Sequence, residues 1–262
     1  MSAETDVNHE KLMELFGNVF NDVAGSMAIM MSYIGDQSGV YKAMDRLGSA
    51  SVKEIAKAAN VNERYLLEWL SSNAGRGYVT YHDDLDEFSV TPEQAAVFAR
   101  ESEPTCIQGL VQGVVGQFVK EDVAVEVFKT GRGRPWGEHH ECCFCGTERF
   151  FRPAYAGHLL DEWIPAMEGV EDKLKAGAKV ADIGCGLGTS SMLMAEQYPN
   201  SIIHAYDFHG PSIDEAKKRA KEKGLTNLEF FVSDAGAIPQ ESYDLACIFD
   251  AWHDMGDPVG IA

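Results

Sequence analysis

The sequence predicts a mixed α/β chain: a mostly helical module carrying a short β-hairpin, followed by a doubly wound parallel α/β unit. Three observations carry this. Ser51 and Glu54 make a Ser-x-x-Glu helix start, the runs YVTY and EFSV flank a turn, and VADIGCGLGTSSMLMAEQ (180–197) sets three glycines at alternate positions between a β-like run and a helical one. At 262 residues, 45% hydrophobic and 24% charged, the chain has an ordinary globular composition and room for more than one core.

In the first unit, Ser51 and Glu54 cap a helix whose apolar positions are Ile55, Ala58 and Ala59. Residues 60–62 turn the chain, and ERYLLEWLSS (63–72) sets Tyr65, Leu66, Trp69 and Leu70 on one face of a second helix, closed by Gly75 and Gly77. YVTY, the Asp-rich turn 83–86 and EFSV add a two-stranded wing, so the pattern is a winged helix. A DNA reader would need cations. The second helix offers Arg64 between Glu63 and Glu68, and the wing carries Asp83, Asp84, Asp86 and Glu87, so a packing or dimerisation module is expected. Ahead of it, Lys11–Met44 is rich in Met and Phe at helical spacing, which predicts core or a subunit interface and, with the latter, a homodimer through the N-terminal helices.

Composition bounds the setting. A net charge of -19 repels a phosphate backbone, so no nucleic-acid partner is expected. Glu4, Asp6 and Glu10 stand where an export signal would be basic, and the apolar stretch Ala28–Ile34 is too short to span a bilayer, so no membrane association is expected. The six cysteines lack a disulfide framework, which predicts a reducing, cytoplasmic setting. Cys142, Cys143 and Cys145 follow His139 and His140, yet C-C-F-C lacks zinc-site spacing; no metal is expected, and the thiols are placed in a loop after GRGRPWG. From Thr147 to Gly169 the pattern is helical around Pro153, with Phe151, Tyr155, Leu159 and Trp163 on one side, expected mainly to pack the two domains together; Arg149, Arg152 and Tyr155 are weaker ligand candidates.

In the second unit, Lys179–Ile183 reads as a strand, Gly184–Gly188 as a loop and Ser190–Tyr198 as a helix, the first half of a doubly wound unit that binds its ligand at the strand's carboxyl end. The dinucleotide fingerprint G-x-G-x-x-G/A would need a small residue where Thr189 stands. SIIHAYD ends a second strand at Asp207, where a carboxylate accepts ribose hydroxyls; LEFFV (228–232) is a third, followed by Ser233, Asp234 and Ala235. Gln240, Glu241 and Ser242 make a turn before YDLACIFDAWHDM, the fourth strand and its exit.

Asp182 to Gly188, D-x-G-x-G-x-G, resembles motif I of the class I S-adenosylmethionine-dependent methyltransferases. With RYLLEWL, GTERFFRPAY and FDAWHDMGDP, the chain is similar over nearly its whole length to a family of such enzymes, found in bacteria and animals, that carries an N-terminal winged-helix module. The resemblance implies S-adenosylmethionine as cofactor. It assigns Asp182, Gly184, Cys185, Gly186, Gly188, Asp207, Phe208, Ser233, Asp234, Ala235 and Asp250 to cofactor binding, with Asp207 on the ribose and Asp234 near the adenine. HDMGD also resembles the H-D-W-x-D segment of small-molecule O-methyltransferases, which implies a small-molecule acceptor and His253 as general base, with Met255 in place of the Trp.

The class order 3-2-1-4-5-7-6 has seven strands, so an incomplete Rossmann-like domain with the first four is expected, a C-terminally truncated fragment whose last strand leaves Leu245, Cys247 and Phe249 less covered. The expected division is 1–100, N-terminal helices and winged helix; 101–175, a helical connecting region; 176–262, the partial cofactor-binding domain. Two other classes fit the same residues: a non-catalytic partner subunit, and an acidic winged-helix regulator with a sensor domain for the same cofactor.

Overall fold

The computed structural model describes residues 7–238 and 242–261, so Gln240 and Glu241 of the expected turn lie outside the described residues. The chain divides into two units, 1–111 and 112–262.

The first unit runs α1 (His9–Gln37), α2 (Val40–Leu47), α3 (Val52–Ala59), α4 (Glu63–Gly75), the antiparallel strands β1 (Thr80–His82) and β2 (Glu87–Ser89), and α5 (Pro92–Phe98). The Ser51 cap forms in full: its hydroxyl accepts from the Glu54 N–H while the Glu54 carboxylate accepts from the Ser51 N–H. Asn60 ends α3 in the left-handed region and Asn62 caps α4. The core gathers Tyr41, Met44, Ile55, Leu66, Trp69, Leu70, Phe88 and Phe98. Tyr65 is not part of it. It is 73% exposed, because the buried stripe centres on Leu66, Trp69, Leu70 and Asn73 and a residue one step before that stripe swings about a quarter turn outward. Its ring instead carries the Arg64 guanidinium at 5.9 Å.

The C-terminal half of α1 is sewn onto α4. Trp69 Nε1 donates to the Met31 carbonyl at 2.7 Å, and Arg76 donates to the Ala24 carbonyl at 2.7 Å. A second, apolar face that runs along α1 is not core of this chain: Leu12, Phe16, Val19, Val23, Met27, Met30 and Ile34, three or four positions apart, are all exposed.

α6 (Gln108–Val119) leads into the second unit, which continues with α7 (Glu121–Thr130), a 3₁₀ turn at Trp136–Glu138, α8 (Glu141–Ala154), a π-helical stretch at Tyr155–Trp163 and α9 (Val170–Ala176). The α/β part follows as β3 (Lys179–Ile183), α10 (Thr189–Gln197), β4 (Ile202–Asp207), α11 (Gly210–Glu222), β5 (Leu228–Val232), β6 (Leu245–Cys247) and the short α12 (Pro258–Ile261). The four strands are parallel in the order β5-β4-β3-β6. Central β3 is buried on both faces at Val180, Ala181 and Asp182, as a covered parallel sheet requires. In β6 and its exit, Leu245, Cys247 and Phe249 are half-buried.

Three expectations need correction. The stretch 101–175 divides at 111/112 instead of standing as a separate connector, because Leu159, Ile164 and Leu174 enter the same core as Val180, Met194, Ile203 and Phe230. Cys142, Cys143 and Cys145 lie on α8, not in a loop; His140 starts that helix by accepting the Cys142 N–H on Nδ1 at 3.2 Å. Phe151, Tyr155 and Trp163 make their ring contacts within the second unit, with Tyr155 5.4 Å and Trp163 6.3 Å from the Phe249 ring centroid. The π-helical stretch begins just after Pro153, whose missing N–H breaks the α ladder.

Gly35 measures how tightly α1 and α4 fit. A Cβ there runs into the Trp69 ring and stands 2.7 Å from Tyr41 Cε2, whereas one at Gly17 meets nothing within 4 Å. Gly35→Ala is therefore expected to destabilise the chain by about 1–3 kcal/mol, and Gly17→Ala to stabilise it by up to about 1 kcal/mol, read from urea unfolding followed by circular dichroism.

Candidate active site

The carboxyl ends of β3, β4 and β5 open into one cavity of about 840 Å³, at the point where the chain crosses from one side of β3 to the other. Two carboxylates shape the glycine loop beside it. Asp182, fully buried at the end of β3, accepts from Ser190 Oγ and Ser191 Oγ, both at 2.6 Å, and so binds the first turn of α10 to the strand. Asp207, at the end of β4, accepts from the Gly186 N–H at 2.9 Å on Oδ2 and from the His209 N–H at 2.8 Å on Oδ1. The Tyr206 carbonyl takes the N–H groups of Gly184 and Cys185 at 2.8 and 3.0 Å.

Within this loop the glycines are needed for different reasons. Gly188 has φ +77°, and a Cβ there would stand 2.7 Å from the Phe230 ring; Gly186, at φ +54°, has nothing within 4 Å of its missing Cβ, which leaves its backbone bare.

Nine of the sequence-predicted residues line the cavity: Gly184, Cys185, Gly186, Asp207, Phe208, Ser233, Asp234, Ala235 and Asp250. Asp234 also caps the 3₁₀ turn at Ala235–Ala237, accepting from the Gly236 N–H at 2.8 Å. Burial pushes the Cys185 thiol well above its ordinary range, so it stays protonated and serves as wall. Three do not line it. Gly188 packs against Phe230, Asp182 is sealed beneath the loop with Oδ1 unpartnered, and His253 lies outside. The His253 side chain is 63% exposed, with Nδ1 3.7 Å from Asp250 and Nε2 3.3 Å from Asp254. It sits on a 3₁₀ turn, Trp252–Asp254, with its ring toward solvent, while its neighbours Ala251, Asp254 and Met255 line the cavity.

The opposite wall comes from Gln117 on α6, Arg134, Trp136 and His139 in the segment before α8, Phe144 on α8, and Thr147, Glu148, Phe151 and Tyr155 of the GTERFFRPAY stretch along α8 and its extension. Arg132 anchors this segment, pairing with Glu126 and Glu138 at 2.7 Å each. Thr189 Oγ1 donates to Glu148 at 3.0 Å and ties α8 to the start of α10. Of the weaker candidates, Tyr155 lines the cavity while Arg149 and Arg152 do not; the Arg149 guanidinium donates to Gln112 at 2.6 Å. Among the described residues, no group of three or more His, Cys, Asp or Glu side chains is placed to hold a metal ion, and no helix is long and apolar enough to cross a membrane.

Complete burial raises the Asp182 pKa, outweighing the two hydroxyls that lower it. The folded chain then holds that proton more tightly than the unfolded chain. This contribution to stability is full below about pH 4 and is lost as pH rises through the raised folded value. Asp182→Asn is expected to flatten the fall in unfolding free energy above about pH 4, checked by denaturant titrations across the pH range.

Residues 174–262 match the family described as "Methyltransferase domain", and residues 25–100 the "Rv2258c-like winged HTH domain". Among curated proteins, aklanonic acid methyltransferase DauC of Streptomyces sp. (strain C5) is 39% identical over 72 residues, 26% of this chain and 33% of that one. The tRNA (guanine-N(7)-)-methyltransferase of Edwardsiella ictaluri (strain 93-146) is 32% identical over 111 residues, 36% of this chain and 46% of that one. The chain thus matches between a third and a half of the length of these relatives. The solved structure of mitomycin 7-O-methyltransferase MmcR superposes with a TM-score of 0.67 at 16% identity, covering 97% of this chain and 76% of that one. Human N-acetylserotonin methyltransferase in complex with SAM gives 0.63 at 14%, covering 97% and 74%. Residues 25–100 of the first unit therefore match a winged helix-turn-helix domain of the Rv2258c-like kind, and residues 174–262 of the second match a methyltransferase domain.

Proposed function

We propose that the cavity binds S-adenosylmethionine and that the protein transfers its methyl group to a hydroxyl of a small-molecule acceptor. The observation that carries this is the Asp207 clamp. A carboxylate at the end of β4 is held by the amides of Gly186 and His209 beside the bare backbone of Gly186, which suits a ribose against a glycine loop. Asp234 and Phe208 line the same cavity and suit the adenine; Gly184 and Gly186 suit the methionine end. When bound, the cofactor supplies an electrophilic methyl on a sulfonium. The chain's part is to align donor and acceptor and to keep water out, with Trp136, Phe144, Phe151, Tyr155 and Phe249 as apolar wall.

The curated relatives act on acceptors as different as aklanonic acid and tRNA by their names, so the acceptor has to be read from this cavity and this charge. The formal charge of -19 and the acidic wing favour a small molecule over a nucleic acid. Thermal-shift titrations with S-adenosylmethionine, S-adenosylhomocysteine and NAD are expected to raise the melting temperature with the first two alone. Asp207→Ala is expected to weaken both by about tenfold or more. His253→Ala, at a side chain that does not line the cavity, is expected to leave cofactor binding unchanged; loss of methyl transfer with binding intact would mark His253 as the general base.

The exposed apolar stripe of α1 suits a second copy of the chain. The helix has 29 residues and is about 43 Å long, with Phe16 and Phe20 stacked in the stripe at 6.1 Å. Sedimentation velocity is expected to show a dimer that the double variant Phe16→Glu, Phe20→Glu converts to monomer. A monomeric wild type at tens of micromolar would exclude it.

A further inference from the structure

The residues lining the cavity include the carboxylates Glu148, Asp207, Asp234, Asp250, Asp254 and Asp257 but a single guanidinium or ammonium, that of Arg134. Despite those acids, Arg134 makes no ion pair among the described residues, and its Nε and Nη2 are closed to water with no hydrogen-bond partner. Leaving such charged donors unmatched is costly, so a buried guanidinium normally finds a carboxylate. Its hydrogen bond within the chain runs from Nη1 to Gln117 Oε1 at 3.1 Å.

That bond orients the Gln117 amide. A guanidinium can only donate, so the Gln117 oxygen faces Arg134 and the Gln117 nitrogen faces His139 Nδ1, 3.4 Å away. His139 Nδ1 then accepts, and in the neutral ring the proton is on Nε2. Burial, with Arg134 close by, lowers the His139 pKa and favours that neutral ring. Arg134, Gln117 and His139 therefore form a donor-only corner in a wall otherwise built from aromatic rings and acids.

We infer that this corner is a carboxylate-recognition site: Arg134 takes a ligand carboxylate through Nε and Nη2, His139 Nε2–H adds a third donor, and Gln117 orients both. Binding requires the Arg134 side chain to turn so that these nitrogens, closed to water in the free chain, face the cavity. The inference rests on the cavity being the cofactor and acceptor site. The carboxylate belongs either to the amino-acid end of the cofactor or to an acidic acceptor, and the test separates these sources.

Isothermal titration calorimetry would use wild type, Arg134→Gln, Arg134→Lys and Gln117→Leu. The probes are S-adenosylhomocysteine, 5′-methylthioadenosine, which lacks the amino-acid carboxylate, and salicylate as a hydroxylated aromatic acid. If the site holds the cofactor's carboxylate, Arg134→Gln weakens S-adenosylhomocysteine by about tenfold or more and leaves 5′-methylthioadenosine within twofold. If it holds the acceptor's, both nucleosides are unchanged and salicylate binding is lost. Arg134→Lys keeps the charge but not the fork, so it is expected to recover part of the lost affinity and covers the case in which the Gln variant fails to fold; Gln117→Leu is expected to give a smaller loss of the same probe. Arg134 variants that bind all three probes like wild type overturn the inference. A wild type that binds neither nucleoside but takes salicylate through Arg134 overturns the cofactor reading alone, and one that binds none of the probes overturns both.

Discussion

The glycine loop depends on carboxylates that act on the chain itself. Asp182 gives up solvent to hold Ser190 and Ser191, and Asp207 reaches sideways to the Gly186 amide. Among the described residues, the first supplies the side-chain hydrogen bonds between β3 and α10, and the second adds a side-chain bond to the backbone bonds that join the loop to β4. Both acids stand at the ends of neighbouring parallel strands, Asp182 opposite Ala205 in the register, so the sheet positions the clamps before any ligand arrives.

Much of this was legible in the sequence for local reasons. The Ser51–Glu54 box, the alternate glycines and the β-branched runs are short-range signals whose physics is complete within a few residues; β3 and β5 begin and end where those runs do, and β4 starts one residue into SIIHAYD. Side-chain direction was less legible. Tyr65 fits an apolar helical repeat, yet it lies a quarter turn off the buried stripe. Asp182 sits in the glycine motif, but alternation along β3 and the two serines of α10 draw it under the loop instead of toward the cavity.

The wall facing the loop was not legible as a site. Gln117, Arg134, Trp136, His139 and Phe144 are brought together by tertiary packing across α6, an irregular segment and α8, and no spacing rule relates them. The available hint was compositional: GRGRPWGEHH concentrates glycine, arginine and aromatic rings between two helical stretches, as functional loops often do. For His253 the chemistry and the place after a strand are read from the sequence, whereas the direction of the ring is set by a single 3₁₀ turn that no spacing rule foretells.

The six acids along the cavity have a consequence for turnover. A sulfonium ligand in this cavity, as proposed above, would carry a positive charge that the acids attract. Methyl transfer would cancel that charge and leave a neutral thioether in an unchanged field. On the proposed reading, the electrostatic hold would weaken at the moment the chemistry is complete, so the acids lining the cavity would favour fresh cofactor over spent.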